Sequence, residues 1–264
     1  MISTNDIVAY IQELSGHPLN RDEGIQHGSG SDPIGKALVT WMATAPALAQ
    51  AGATSCQLVL CHESLYFPYD AAVRSDNPRG WEQWPTNRQR RELLERHNLV
   101  LLRVHGSLDE ICIFDDFAAL LNLGSPVEAE GYDKIYEITP QPLQQLVRSV
   151  ASLMNLDAMR VTSPRGIGQI VHRVGLPWGG LGLFVNVSYQ QQCIARQCDV
   201  LIGGESDSYG LHFANELGIP FIETGHEVSE NPGLAHWVLM LEKRFPELEV
   251  VFYDCEPAYS WWSK

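Results

Sequence analysis

The sequence of 264 residues has few basic side chains and no long apolar run. Its 18 Lys and Arg residues stand against 32 Asp and Glu residues, which gives a formal net charge of −14. We expect no broad surface for nucleic acid or for an anionic membrane, because phosphate binding needs a positive field. No apolar run approaches the roughly 18 residues of a membrane-spanning helix. Neither a nucleic acid nor a membrane is therefore predicted as a partner.

Cysteine pairs and targeting signals are missing as well. The six cysteines form no C-x-x-C pair, and a chain of this length does not need disulfides to stabilise its core. The first residues show neither the basic segment nor the apolar segment of a signal peptide. These features predict a cytoplasmic protein with reduced, mostly buried thiols.

Apolar patterns typical of helices and of strands alternate along the chain, which predicts an α/β protein. One helix is predicted over residues 34–51, broken or kinked at Pro46. Residues 22–33 are rich in Gly, Ser and Asp, which predicts a loop. A second structural unit is predicted to begin near Tyr132.

Three predicted strands are each followed by a histidine and, one to four residues later, by a carboxylate. The pairs are His62 and Glu63, His105 and Asp109, and His226 and Glu230. Side chains at the carboxyl ends of parallel strands converge at one edge of a sheet. Imidazole and carboxylate together suit Zn, Mn, Fe or Co, and such a set can hold two ions bridged by a carboxylate.

Structural interpretations of the same features stay open. Asp109 can cap the helix that follows it. His226 and Glu230 face the same side only if their segment is helical. The glycine-rich residues 175–182 either present backbone N–H groups to an anion or form a tight turn.

Four segments resemble, in the same order, the motifs of the GTP cyclohydrolase 1 type 2-like family, also called Nif-three-like. LVLCHESLYF resembles a strand followed by His-His-Pro-Leu-x-Phe, and VHGSLD resembles Ala-His-Thr-Asn-Leu-Asp. CDVLIGGE is similar to Ala-Asp-x-x-x-Thr-Gly-Glu, and IETGHEVSE is similar to Asp-Ala-Gly-His-Tyr-x-Thr-Glu. Near the start, DEGI resembles a short Asp-Asn-x-Gly-Leu element. The resemblance extends over nearly the whole chain.

The resemblance implies a two-lobed α/β protein of the Nif-three-like fold, in which each lobe is a mixed sheet flanked by helices. Residues 1–125 and 222–264 are assigned to the first lobe and 126–221 to the second. A dinuclear site for two divalent metal ions (Zn, Mn, Fe or Co) is implied in the cleft between them. By this resemblance, the metal ligands of the family correspond to His62, Asp109, His226 and Glu230. Glu63 occupies the position of the family's second histidine, and we predict it as a further ligand because a carboxylate can replace an imidazole.

The function implied is that of a metal-dependent hydrolase, cyclohydrolase-like, acting on a small cyclic amide, nucleotide or related molecule. We predict His105 as a hydrogen-bond partner of the site or a proton shuttle, and Glu205 as a substrate contact or a partner of the ligands. A homo-oligomer, a hexamer in many members, is implied by the same resemblance. Two alternatives remain: a non-catalytic metal-binding or adaptor protein, and a nucleotide- or anion-binding module that uses the glycine-rich loop.

Overall fold

The computed structural model describes residues 2–131 and 133–262, so Tyr132 lies outside the described residues. The chain divides into two compact units, Met1–Ile113 with Gly233–Cys255 and Phe114–Pro232 with Glu256–Lys264. Each unit contains a mixed β-sheet with helices packed on it, which confirms the predicted fold class. Three segments assigned from sequence to the first lobe, residues 114–125, 222–232 and 256–264, belong to the second of these units.

The helices and strands follow one another with short connections. In chain order they are β1 (Ile2–Ser3), α1 (Thr4–Ser15), β2 (Gly24–His27), β3 (Pro33–Ile34), β4 (Lys36–Thr40), α2 (Ala45–Ala53), β5 (Leu58–Cys61), a 3₁₀-helix (Trp81–Gln83), α3 (Pro85–Arg96), β6 (Val100–Arg103), α4 (Gly106–Leu108), a π-helix (Asp109–Ile113), α5 (Phe114–Leu120), β7 (Glu128–Glu130), β8 (Asp133–Pro142), α6 (Leu143–Leu153), β9 (Arg160–Val161), β10 (Ile170–Gly175), two 3₁₀-helices (Gly179–Gly182 and Phe184–Asn186), α7 (Val187–Ala195), β11 (Val200–Gly203), α8 (Ser208–Glu216), β12 (Phe221–Glu223), α9 (His226–Arg244) and β13 (Glu249–Tyr253). Within the described ranges, no helix is both long and apolar enough to cross a membrane.

The first unit is built on a five-stranded sheet in the order β13-β4-β5-β6-β2. Four of its strands are parallel, and β2 is antiparallel to β6 at one edge. Every residue of β5 and β6 is buried, because a parallel sheet is covered on both faces. Cys61 at the end of β5 lies opposite Arg103 at the end of β6. The segments that carry His62 and His105 therefore leave the sheet at the same edge.

The helix predicted over residues 34–51 is wrong in its first half. Residues 36–40 form β4, and α2 begins only after Thr44, whose hydroxyl accepts a hydrogen bond from the Ala47 N–H at 3.3 Å. Pro46 lies in the first turn of α2, where its missing N–H costs nothing. The error arises because β4 is an inner strand, paired with β13 and β5, and is covered on both faces. Such a strand lacks the alternation of apolar and polar residues that would distinguish it from an apolar helix.

The loop predicted over residues 22–33 is also partly wrong. It contains β2, which pairs with β6, and Pro33 at its end belongs to β3, which pairs with β1. Both are short and only partly buried. Such edge strands have too few apolar residues for the periodicity to be visible in the sequence.

The second unit is built on a six-stranded sheet in the order β7-β8-β10-β11-β12-β9. β10, β11 and β12 are parallel, and the outer strands run antiparallel to their neighbours. Helices α6, α7 and α8 pack against this sheet. Gly203 at the end of β11 lies opposite Glu223 at the end of β12. The segments that lead to Glu205 and His226 therefore start from one edge of the sheet.

Candidate functional site

His62 is the first residue after β5, and its side chain is fully buried. Its Nδ1 atom lies 3.1 Å from the carbonyl oxygen of Val104, the residue that follows β6. A carbonyl oxygen only accepts hydrogen bonds, so we infer that Nδ1 carries the proton. In the neutral ring Nε2 then holds the lone pair, which is the tautomer that a metal ligand requires.

Two carboxylates lie in the same buried region of the first unit. Glu63 is 3% exposed, and its Oε2 accepts the backbone N–H of Ser64 at 3.3 Å. Asp109 is 9% exposed, and its Oδ1 lies 3.8 Å from Nε2 of His62. Burial of carboxylates costs free energy unless cations or hydrogen-bond donors compensate for the lost water. The structure thus places these two predicted ligands beside His62, and we call the three residues the first ligand group.

Asp109 occupies an unusual helical position. It is the first residue of the π-helix 109–113, directly after the short helix α4. π-Helices are rare and are frequent at functional sites. A different side chain caps α4: the Oε1 atom of Glu23 accepts the N–H groups of His105 and Ser107 at 2.7 and 2.8 Å. Glu23 therefore caps α4, and the Asp109 carboxylate lies beside the buried histidine.

His105 lies against His62, with ring centroids 4.8 Å apart at an angle of 62°. Its Nδ1 atom is 3.1 Å from Oδ2 of Asp22, and its Nε2 atom is 3.4 Å from the hydroxyl of Tyr69. The hydrogen bond to His105, together with the charge of Arg103, lowers the pKa of Asp22 to about 2. Burial disfavours the charged form of His105, but the hydrogen bond to Asp22 and the charges of Glu63 and Asp109 together outweigh burial and raise the pKa of the ring.

Arg103 supports this edge of the sheet from within β6. It is fully buried, donates to the His62 carbonyl oxygen at 3.2 Å and pairs with Asp70 at 2.5 Å. Its Nη1 atom also lies 3.1 Å from Oδ2 of Asp22. A charged residue in an otherwise apolar strand is a signal that sequence inspection can detect. No role was predicted from the sequence for Arg103, Asp22 or Glu23, although DEGI, which contains the two acidic residues, resembles an element of the family.

The second unit contributes His226 and Glu230, which we call the second ligand group. His226 begins α9, and its Nε2 atom lies 3.4 Å from Oε1 of Glu230 one turn later. The helical spacing on which the prediction depended is therefore present. Nδ1 of His226 is 3.1 Å from Oε2 of Glu205, so the carboxylate of Glu205 fixes the ring. Glu230 is 3% exposed, whereas the side chain of Glu205 is 48% exposed.

The glycine-rich loop packs against the second ligand group. Gly179 has a φ of +50°, and a Cβ at this position would overlap the carboxylate of Glu230. Its N–H donates to the hydroxyl of Ser229 at 3.0 Å. A Cβ on Gly180 would lie 3.1 Å from Cε1 of His226. The glycines are therefore required for close approach of the backbone to the ligand side chains.

Among the described residues, imidazole and carboxylate groups in the first unit are close enough to hold an ion. His62, Glu63 and His105 each offer one ligand atom, and these atoms all lie within 4.8 Å of one another. Asp109 contacts the same histidine. The second ligand group and Glu205 belong to the other unit, where His226 contacts both carboxylates. The residues present thus have the donor chemistry that borderline divalent ions require.

A fold of this type and these largely buried sets of histidine and carboxylate define a known class of protein. A sequence model of the family described as Duf34/NIF3 (NGG1p interacting factor 3) matches residues 3–258. The chain belongs to this family, which confirms the resemblance of its motifs. A solved structure of a protein called ybgI, of unknown function, has a TM-score of 0.79 at 22% identity and covers 98% of this chain and 100% of that chain.

Two further relatives extend the comparison. A Bacillus cereus protein related to NIF3 has a TM-score of 0.77 at 13% identity, with 98% of this chain and 99% of that chain covered. A Pseudomonas aeruginosa protein called GTP cyclohydrolase 1 type 2 homolog is 35% identical over 88 residues, which are 33% of this chain and 32% of that protein. The chain thus matches about a third of the length of this curated relative. The structural likenesses establish the fold.

Proposed function

We propose that this chain is a metal-dependent hydrolase in which the first and second ligand groups together hold two divalent ions. Each group alone has too few ligands for two ions, because it contains one imidazole and only one or two carboxylates. Two ions bound by protein side chains need more donors than either group contains. The order of the family motifs supports the same combination, in the cleft predicted between the lobes.

One observation carries this proposal: a fully buried histidine lies beside two buried carboxylates with its proton committed to a carbonyl. His62 is oriented by Val104, and Glu63 and Asp109 are nearly inaccessible to water. A purely structural histidine needs neither neighbour. Buried carboxylates repel one another, and divalent cations would offset this repulsion.

The chain's residues would position ions and substrate. Divalent ions supply Lewis acidity, which lowers the pKa of a water molecule and polarises a substrate oxygen. Glu205 holds the ring of His226 through Nδ1, and Val104 holds that of His62 in the same way. The half-exposed carboxylate of Glu205 is available for a substrate contact, the role predicted for it. Gly179 leaves the room that the Glu230 carboxylate needs.

The substrate class follows from the family and from the name of one relative. We propose a small cyclic amide, nucleotide or related molecule, with GTP as the first compound to test because of the printed name of the Pseudomonas relative. A homo-oligomer, a hexamer by family resemblance, and a cytoplasmic location belong to the same proposal.

Turnover with defined ions tests the proposal. The full chain, purified without a histidine tag, is assayed with GTP, cyclic amides and phosphoesters in the presence of Mn, Zn, Fe or Co. We expect hydrolysis that requires an added ion and that is lost in Asp109→Asn. The matched control Asp157→Asn changes an exposed aspartate and should retain the activity. Hydrolysis that persists equally in Asp109→Asn would contradict the proposed site.

Glu63 favours a second candidate function, that of a non-catalytic metal-binding or adaptor protein. It replaces the histidine of the family motif with a harder ligand of negative charge. A chain that binds metal through His62 and His226 but turns over none of these compounds would support this alternative. Restoration of turnover by Glu63→His would identify the substituted ligand as the cause.

A further inference from the structure

The first unit holds a second imidazole close to its ligand group. His105 and His62 make ring contact, and one ligand atom from each, together with one from Glu63, lie within 4.8 Å of one another. Two donors that each lie about 2.1 Å from one ion are roughly 3–4 Å apart, so small side-chain shifts bring these atoms to binding distance. Two imidazoles and one carboxylate are therefore gathered on adjacent strand ends of a single unit.

Both imidazoles are oriented in the same way. Nδ1 of His62 faces the Val104 carbonyl at 3.1 Å, and Nδ1 of His105 faces the Asp22 carboxylate at 3.1 Å. Each acceptor fixes the proton on Nδ1 and leaves the lone pair on Nε2. Histidines that bind metals almost always donate their other ring N–H to a carboxylate or a carbonyl, and these two rings use one of each.

The residues behind His105 hold it in place. The Asp22 carboxylate contacts the buried guanidinium of Arg103 at 3.1 Å, and Glu23 accepts the backbone N–H of His105 at 2.7 Å. The Tyr69 hydroxyl, 3.4 Å from Nε2 of His105, makes only a long contact that a metal ion can replace. A ring fixed at its backbone and at Nδ1 has lost the rotamer freedom that binding would otherwise cost.

We propose that His105 is itself a metal ligand, positioned by Asp22, and that His62, Glu63 and His105 form a two-histidine, one-carboxylate site within the first unit. The inference rests on the proposed function and replaces the proton-shuttle role predicted from sequence. A set of two imidazoles and one carboxylate suits Fe(II), Zn(II), Co(II) or Mn(II).

Zinc binding by the full chain, purified without a histidine tag, tests the inference. Affinity is measured by competition with a chromophoric chelator, and the number of imidazoles on zinc is measured by X-ray absorption at the zinc edge. We expect His105→Ala and His105→Gln to weaken zinc binding about a hundredfold or more and to remove one imidazole from the spectrum. Asp22→Asn should weaken binding roughly 10- to 100-fold. His212→Ala, which changes an exposed histidine of α8, is the matched control and should bind like the wild type.

The outcomes separate this inference from the proposed function. If both His105 variants keep the wild-type affinity and imidazole count while His62→Ala weakens binding, the inference is overturned and the proposed function stands. If the wild-type chain binds no zinc, the proposed function fails with it. Should His105→Ala lose its native circular dichroism, His105→Gln and Asp22→Asn decide, and wild-type behaviour of both would overturn the inference.

Discussion

At the scale of single residues, the site depends on hydrogen-bond acceptors that fix histidine tautomers. Nδ1 of His62 lies against the backbone carbonyl of Val104. Nδ1 of His105 and Nδ1 of His226 lie against the carboxylates of Asp22 and Glu205, respectively. Loss of such an acceptor frees the ring to flip and typically costs 10- to 100-fold in metal affinity. The acceptors are therefore as much a part of the candidate centre as the rings.

Gly179→Ala tests the close approach of the glycine-rich loop. The φ of +50° and the overlap with Glu230 predict that the variant loses about 1–3 kcal/mol in its free energy of unfolding and binds metal more weakly. Urea denaturation measures the first effect and zinc titration the second. Gly168→Ala is the control, since a Cβ there meets no atom within 4 Å. Equal stability of the two variants would contradict the predicted role of Gly179.

Glu23→Gln tests the cap on α4. The carboxylate accepts two backbone N–H groups of the loop and the hydroxyl of Ser107 at 2.7 Å. An amide replaces one of the two acceptor oxygens by an NH2 donor that faces other donors, so we expect a loss of roughly 1.5–3 kcal/mol in the free energy of unfolding, measured in urea. Glu13→Gln, an exposed change in α1, should alter stability by less than about 0.5 kcal/mol. A neutral Glu23→Gln would mean that the loop is held by other contacts.

At the scale of helices and strands, Thr44 marks the true start of α2. Its side chain accepts the Ala47 N–H, so Thr44→Ala should cost about 1 kcal/mol in the free energy of unfolding. Within a helix over residues 34–51, the same change would instead stabilise the chain by a few tenths of a kcal/mol. Ser149→Ala, an exposed change inside α6, shows the sign expected for a helix interior. Thermal denaturation of both variants distinguishes the two cases.

The strands that position the ligands could be predicted because they are short apolar runs followed by polar residues. β5 and β6 are examples, and their parallel pairing brings His62 and His105 to one edge. β4 was missed because a strand buried on both faces lacks a period. The contacts of Asp22 and Glu23 with His105 join residues more than 80 positions apart, and nothing local in a single sequence encodes such a pairing.

At the scale of the whole molecule, the acidic composition has a structural counterpart. The buried carboxylates Glu63, Asp109 and Glu230 are part of the net charge of −14. Two divalent ions would change it to −14 + 4 = −10. Part of the acidic excess is thus what a cation site requires, since carboxylates without a cation repel one another.

Removal of metal should therefore lower thermal stability. A ligand present at 100 times its Kd stabilises the native state by about 2.7 kcal/mol. For a chain of this length, we expect a strong chelator to reduce Tm by roughly 5–10 °C. Differential scanning calorimetry with and without the chelator measures the change. His62→Ala should show a much smaller chelator effect, and an equal effect in both proteins would place the stabilising ion elsewhere.

The central claim is that both units supply ligands to one dinuclear centre, and the metal content of single-ligand variants tests it most directly. Tag-free wild-type chain, His62→Ala and His226→Ala are loaded with Zn or Mn, desalted and measured by inductively coupled plasma mass spectrometry. We predict about two ions per wild-type chain and a loss of bound metal in each variant, although the two histidines belong to different units. A wild-type chain without near-stoichiometric metal, or a His226→Ala variant with wild-type content, would contradict the claim.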